Sequence, residues 1–290
     1  MRAISHLVRP HILAIAAFAA LTFGWVFAGV FDATIPILVA IDWFVVNFVN
    51  RAVDLAEDER NGVAGIALMA RHARAFTIAS WVLMFAALGI GALVSPRTLV
   101  LRTVFHLIGI AYNHRVIPAP RGFTRFKELY LAKNGMSGVL FVISVIIEPI
   151  VHLRGSLTSL AAAPILVAIV FFFTLEITFE IVYDLRDIAG DSAENVPTFP
   201  VVHGAKTAEG IILVLLAISA ITIAGAWLLG IVPRKLGVMV AAPIQQAIFL
   251  AWRVRGRTPT QDDCVLLTWL GAAQLASYDA WVALGLPLGG

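Results

Sequence analysis

Between positions 11 and 49 the chain is apolar almost without interruption. The pattern returns at about 76–94, 99–111, 138–151, 160–181, 211–231, 236–252 and 265–284. A bilayer core takes about 20 helical residues, so the first run is long enough for two spans, with a hinge near 31–32. The expected total is about nine helices, the fourth and fifth drawing on neighbouring residues to reach across. Arg2 and Arg9 precede an apolar run, as in a signal peptide, but the hydrophobicity continues far beyond the roughly 7–15 residues of such a core. The fold class is therefore all-α and integral to the membrane, with one polytopic domain over residues 1–290.

Composition supports the same class. Of 290 residues, 60% are hydrophobic and 13% charged, and the mean hydropathy of +0.91 leaves too little polar surface for a soluble globular domain. The single cysteine, Cys264, excludes an internal disulfide framework, and histidines and cysteines nowhere take zinc spacing. The net charge of +3 is spread over short loops, so no nucleic-acid partner is expected. With a cytoplasmic N-terminus, 16 of the 21 lysines and arginines fall on the cytoplasmic side and 5 on the other, as the positive-inside rule favours. That orientation places the loops at about 50–74, 113–133 and 184–207 in the cytoplasm and the C-terminus outside, in a membrane expected to be a prokaryotic inner membrane. Oligomeric state is not legible.

Two acidic stretches occupy these loops, at about 47–62 and 180–204. Asn50, Asp54 and Asp58 are four apart, and each such step turns only about 40° around a helix, so they form one column. Glu180, Asp184, Asp187 and Asp191 form a second, with Gly190 and Pro197 marking the expected helix end. Like charges in a column repel unless something neutralises them. Either they are solvated helix ends, or they hold a divalent cation such as Mg²⁺, which takes oxygen ligands together with substrate phosphates. Four spans separate the two stretches, a parallel repeat rather than the inverted one common in transporters.

At these residues the chain resembles the UbiA superfamily of intramembrane prenyltransferases. Asn50, Asp54 and Asp58 match its N-x-x-x-D-x-x-x-D signature, and Asp184, Asp187 and Asp191 match D-x-x-D-x-x-x-D. The stretch from Asp184 to Asp191, with Thr198-Phe-Pro-Val-Val-His-Gly204 after it, is similar to the extended second signature. Two departures stand out: Glu59-Arg60-Asn61-Gly62 replaces a frequent N-R-P segment, and Phe199 replaces a leucine. The resemblance implies a UbiA-like bundle of helices around a central cavity, in which Asn50, Asp54, Asp58, Asp184, Asp187 and Asp191 hold Mg²⁺, with Mn²⁺ as a substitute, and Asp54, Asp58, Asp187 and Asp191 are catalytic. It implies a polyprenyl diphosphate as donor and a small lipophilic acceptor, aromatic or isoprenoid, both drawn from the lipid bilayer. The alternatives are a membrane terpene cyclase of the same superfamily, which quenches the cation internally, and a cation-coupled transporter.

Ionising a prenyl diphosphate requires positive charge at the departing phosphates. Arg51, Arg125, Lys127, Lys133 and Arg186 are the candidate diphosphate ligands, with anchoring by the positive-inside rule as the competing role; the segment from Arg125 to Asn134 resembles a basic loop found in several branches of the superfamily. Asp42, His106, Glu148, Glu176, Gln245, Gln246, Gln274 and Asp279 are polar at membrane depth, either paired with neighbouring helices or facing an acceptor. His106 lies on the side away from the acidic motifs, which favours a core role. Phe171-Phe172-Phe173 either lines a channel for the prenyl chain or packs against its neighbours.

Overall fold

A computed structural model describes residues 8–55, 59, 65–120 and 122–285. In hydrocarbon every backbone polar group must be satisfied within the chain, and the apolar runs accordingly form helices. Helix α1 (Pro10–Ala28) begins with proline at a position where its missing N–H costs nothing, and ends at Gly29, whose φ of 75° favours glycine. After a short turn, in which Asp32 Oδ1 accepts from the Thr34 amide at 2.8 Å, α2 (Thr34–Val53) returns. Helices α3 (Ala73–Val94) and α4 (Leu99–Asn113) follow, then α5 (Tyr130–Arg154), α6 (Ala162–Ala193), α7 (Ala205–Leu228), α8 (Arg234–Val254) and α9 (Gln261–Ala283). Seven of these are long and apolar enough to cross a membrane. The other two are α4, which has only 15 residues, and α9, which has the length but carries Asp262, Asp263, Gln274 and Asp279.

Helix α1 packs between α2 and α9, and α6 between α5 and α7. One contiguous apolar core runs through them, with Phe23, Phe105, Ile146, Phe171, Ile181 and Ile223 wholly or almost wholly enclosed. Phe85, Leu93, Ile221, Leu228 and Trp252 point outward, the arrangement of a bundle whose solvent is lipid.

Three local expectations are corrected. The loop before α5 is not all coil: Ile117–Ala119 (β1) pairs antiparallel with Gly122–Thr124 (β2), because Pro118 and Pro120, two residues apart, exclude helix over this stretch. Gly190 does not end α6, which continues to Ala193 and stops where Asn195 takes a φ of 56° ahead of Pro197. A helical glycine costs only about 1 kcal/mol, too little to break a helix of 32 residues. The second acidic motif is therefore the last turns of a helix rather than a loop. The first motif straddles a helix end, since α2 stops at Val53 and Asp54 caps it; Glu57, Asp58, Arg60, Asn61 and Gly62 lie outside the described residues.

The fourth correction concerns Arg102, counted above as a topological charge. Its side chain is completely buried: Nε and Nη2 each donate to an Asp42 oxygen at 2.8 Å, and Nη1 donates to the Ala87 carbonyl at 3.0 Å. His106 Nε2 lies 2.9 Å from Asp42, and Glu148 Oε1 lies 3.6 Å from Arg102 Nε. The guanidinium fits only because position 91 is glycine; a Cβ there would stand 1.5 Å from Arg102 Nη1. Asp42, His106 and Glu148 are thus partners in a network joining α2, α4 and α5, and none of them lines either of the two cavities described below.

Candidate active site

A cavity of about 160 Å³ opens among α1, α2, α4, α5 and α6 at the motif-bearing end of the bundle. Its inner wall is apolar, from Ile12 and Ile15 on α1, Leu140 and Phe141 on α5, and Phe179 on α6. Along α6 the spacings of four, four, three and four bring Glu176, Glu180, Asp184, Asp187 and Asp191 onto its lining. Asn47 and Asn50 face them from α2, Tyr112 and Asn113 from α4, and Lys127, Lys133 and Ser137 from the hairpin loop and α5.

The two motifs are joined by lysines six residues apart. Lys127 Nζ donates to Asp54 Oδ2 at 2.7 Å, and Arg125 Nη1 takes the other oxygen at 2.9 Å. Lys133 pairs with Asp184 Oδ1, while Asn134 Nδ2 donates to Asp184 Oδ2 at 2.7 Å. All of these except Arg125 are buried. The hairpin holds Arg125 in place through Glu128, which accepts from Arg115 at 2.8 Å, from Thr124 at 2.9 Å and from Arg125 at 3.2 Å. Burial acts the other way, but the hydrogen bonds from Arg115 and Thr124 hold the Glu128 carboxyl below its ordinary range.

A π-helical turn at Val142–Ile147 interrupts α5 beside the cavity. Its Ser144 Oγ accepts from Trp43 Nε1 at 3.1 Å, and Trp43 stacks on Phe141 with ring centroids 4.0 Å apart. The turn thereby fixes two aromatic faces in the cavity wall, where such turns often serve function.

Of the residues expected from sequence, Asn50, Lys127, Lys133, Asp184, Arg186, Asp187 and Asp191 line this one cavity. Asp54 and Arg125 join it through their ion pairs. Arg51 is buried at the end of α2 but is not part of the lining, and Asp58 is outside the described residues. Arg186 is bound to Asp187, with Nε to Oδ1 at 2.7 Å, so these two neutralise each other. Among the described residues no three His, Cys, Asp or Glu side chains converge on one metal position. The donor set nevertheless suits a hard cation: Asn50 Oδ1 is buried without a hydrogen-bond partner among the described residues, and it shares the cavity with three aspartates.

Several residues were not singled out from sequence. Asn134 follows Lys133 in a segment noted for its cations, so its neighbour masked it. Tyr112, Asn113 and Ser137 carry no sequence signal beyond a polar residue near a helix end. Asn47 accepts from Arg9 Nη1 at 3.1 Å, an interaction between α2 and the residue before α1.

A second cavity of about 80 Å³ lies deeper, between α1, α6, α8 and α9, and shares Ile15, Glu176 and Phe179 with the first. Phe171 and Phe172 line it; Phe173 does not, and its ring fills the space beside Gly138. Of the polar residues noted at membrane depth, Glu176, Gln245, Gln246 and Gln274 face this cavity, whereas Asp279 is paired with Thr22 at 2.8 Å.

The sequence profile of the UbiA prenyltransferase family matches residues 11–272. No curated protein sequence matches the chain. Among solved structures, a UbiA homolog from Archaeoglobus fulgidus bound to DMAPP and Mg²⁺ superposes with a TM-score of 0.69 at 18% identity, covering 98% of this chain and 99% of that one. The same homolog bound to GPP and Mg²⁺ gives 0.70 at 18% identity, with 97% and 99% covered. The apo structure of a UbiA homolog from Aeropyrum pernix K1 gives 0.63 at 17% identity, with 96% and 98% covered.

Proposed function

This chain belongs to the UbiA prenyltransferase family and is an integral membrane protein; from that premise we propose that it ionises a polyprenyl diphosphate and transfers the prenyl group to a small lipophilic acceptor, aromatic or isoprenoid. The observation that carries the reading is the pair of buried lysines, Lys127 and Lys133, each holding the first aspartate of one motif at a shared cavity. The similar archaeal structures, with DMAPP or GPP and Mg²⁺, support the same substrate class.

In this reading Asn50, Asp54, Asp58, Asp184, Asp187 and Asp191 hold Mg²⁺ or Mn²⁺, whose chemistry is to neutralise charge on the departing diphosphate. Arg125, Lys127 and Lys133 turn from carboxylate to phosphate oxygens, placing fixed positive charge where negative charge develops. The allylic C1–O bond breaks, diphosphate leaves with the electron pair, and C1 bonds to the acceptor, which loses a proton. The apolar wall of Ile12, Ile15, Leu140 and Phe179 keeps water from the cation, and the faces of Trp43 and Phe141 offer it π density.

We also infer that the motif-bearing end faces the cytoplasm. Arg51, Lys127 and Lys133 are buried, as is Arg102, so they do not report topology; without them the charge split is 13 against 4, still in favour of this orientation.

The test is incubation of purified protein with Mg²⁺, labelled prenyl diphosphates and a lipid extract, with products identified by mass. A prenylated extract component is expected. Release of a cyclised hydrocarbon without any acceptor would replace this reading with a terpene cyclase, and no diphosphate release at all would overturn both.

A further inference from the structure

The second cavity is apolar over most of its wall, yet it encloses an amide that nothing satisfies. Gln246 is 2% exposed, and neither its Oε1 nor its Nε2 meets a hydrogen-bonding group among the described residues. Gln245 and Gln274 line the same space. Among the described residues no lysine, arginine or histidine does. Its ionisable groups are Glu176, at the junction with the first cavity, and Tyr278, whose hydroxyl donates to the Lys235 carbonyl.

We propose that this cavity is the acceptor subsite and that it takes an uncharged, largely apolar molecule whose hydroxyl or carbonyl oxygen is read by Gln246. Naming the ligand an acceptor rests on the prenyltransferase reading; its chemical class rests on the cavity alone. A primary amide offers N–H donors and a carbonyl acceptor, and a hydroxyl group, being both donor and acceptor, satisfies either. A hydrocarbon chain would seal the amide away with neither atom bonded, which buried polar groups avoid. The donor's tail is therefore a poor occupant. An anion is poorer still, since it would find no counter-charge among the described residues of the wall. The wall thus admits phenols, quinols and isoprenoid alcohols and rejects aromatic carboxylic acids.

Position agrees with chemistry. Ile15, Glu176 and Phe179 belong to both cavities, so the space beside Gln246 adjoins the chamber where the diphosphate's reactive carbon would lie. Gly271 sets one wall of this junction, since Ile15 packs against it so closely that a Cβ there would stand 2.8 Å from Ile15 Cδ1.

The experiment uses the purified full chain in detergent and two probes that share a phenol, p-cresol and 4-hydroxybenzoate, titrated calorimetrically at neutral pH against a detergent blank. Magnesium with inorganic diphosphate is titrated separately to report on the first cavity. Wild type should bind p-cresol at least about tenfold more tightly than 4-hydroxybenzoate, and Gln246→Leu should lose about tenfold for p-cresol while keeping its diphosphate affinity. Equal affinities of wild type for the two phenols, or a p-cresol affinity unchanged in a Gln246→Leu variant that still binds diphosphate, would overturn the proposal. If Gln246→Leu loses diphosphate binding and so has not folded, the wild-type comparison decides alone. Selectivity for p-cresol in a wild type that ignores diphosphate would uphold the ligand class and strike the prenyltransferase reading instead.

Discussion

Lys127 Nζ stands 2.7 Å from Asp54 Oδ2, with both side chains about 5% exposed. A buried ammonium thus sits on a carboxylate that the proposed function assigns to a metal ion. On that proposal the pair is the resting arrangement: two buried charges are tolerable together and costly apart, so whatever takes Asp54 must give Lys127 another anion. A metal-bound diphosphate does both at once.

Lys127→Ala should therefore have effects of opposite sign. Freed from its ammonium, Asp54 should bind Mn²⁺ more tightly in the absence of diphosphate, as followed by electron paramagnetic resonance. The kcat/KM for prenyl diphosphate should fall about 10- to 100-fold, the worth of one charge-assisted hydrogen bond of about 1.5–3 kcal/mol. Weaker Mn²⁺ binding in the variant would show that Lys127 supports the metal site rather than competing with it.

Asp54 and Asp184 belong to different helices but to one chamber, so they should fail as a unit. Asp54→Asn and Asp184→Asn each keep shape while removing a charge, and each should abolish most turnover. The double variant should be about as inactive as the worse single one, because groups that act together leave little for a second loss to remove. Losses that multiply in steady-state assays would separate the two motifs functionally.

Chelation should abolish turnover, with recovery on adding back Mg²⁺ or Mn²⁺ but not Ca²⁺, whose preference for six to eight ligands suits this site less well. Full activity after exhaustive dialysis against a chelator would remove the metal from the mechanism.

Gly91→Ala tests the buried network without touching the chamber. Its methyl group would occupy the place of Arg102 Nη1, and evicting the guanidinium leaves Asp42 buried beside His106 alone. Breaking a buried ion pair costs about 3–5 kcal/mol. The thermal unfolding midpoint in detergent should drop well below that of wild type, while folded protein at low temperature keeps its turnover per molecule. An unchanged midpoint would mean that α3 shifts to make room.

Hydropathy and spacing settle much of this protein because they are local. An apolar run must become helix in lipid wherever its neighbours lie, and spacings of three and four put Asp184, Asp187 and Asp191 on one face before any helix finds a partner. The membrane class, the two acidic motifs and the family were therefore legible from the residues alone. The pairing of charges was not. Lys127 meets Asp54 across 73 residues, Lys133 meets Asp184 across 51 and Arg102 meets Asp42 across 60. In sequence each of these cations reads equally well as an anchor at the membrane surface. Only packing decided that Arg102 is a core residue, that Gly91 exists to admit it, that Gly190 lies within a continuing helix, and that Glu176 and Gln246 face cavities rather than one another. Such outcomes depend on which helices become neighbours and on what the low-polarity interior demands of each buried polar atom, and neither is a property of a stretch of chain taken by itself.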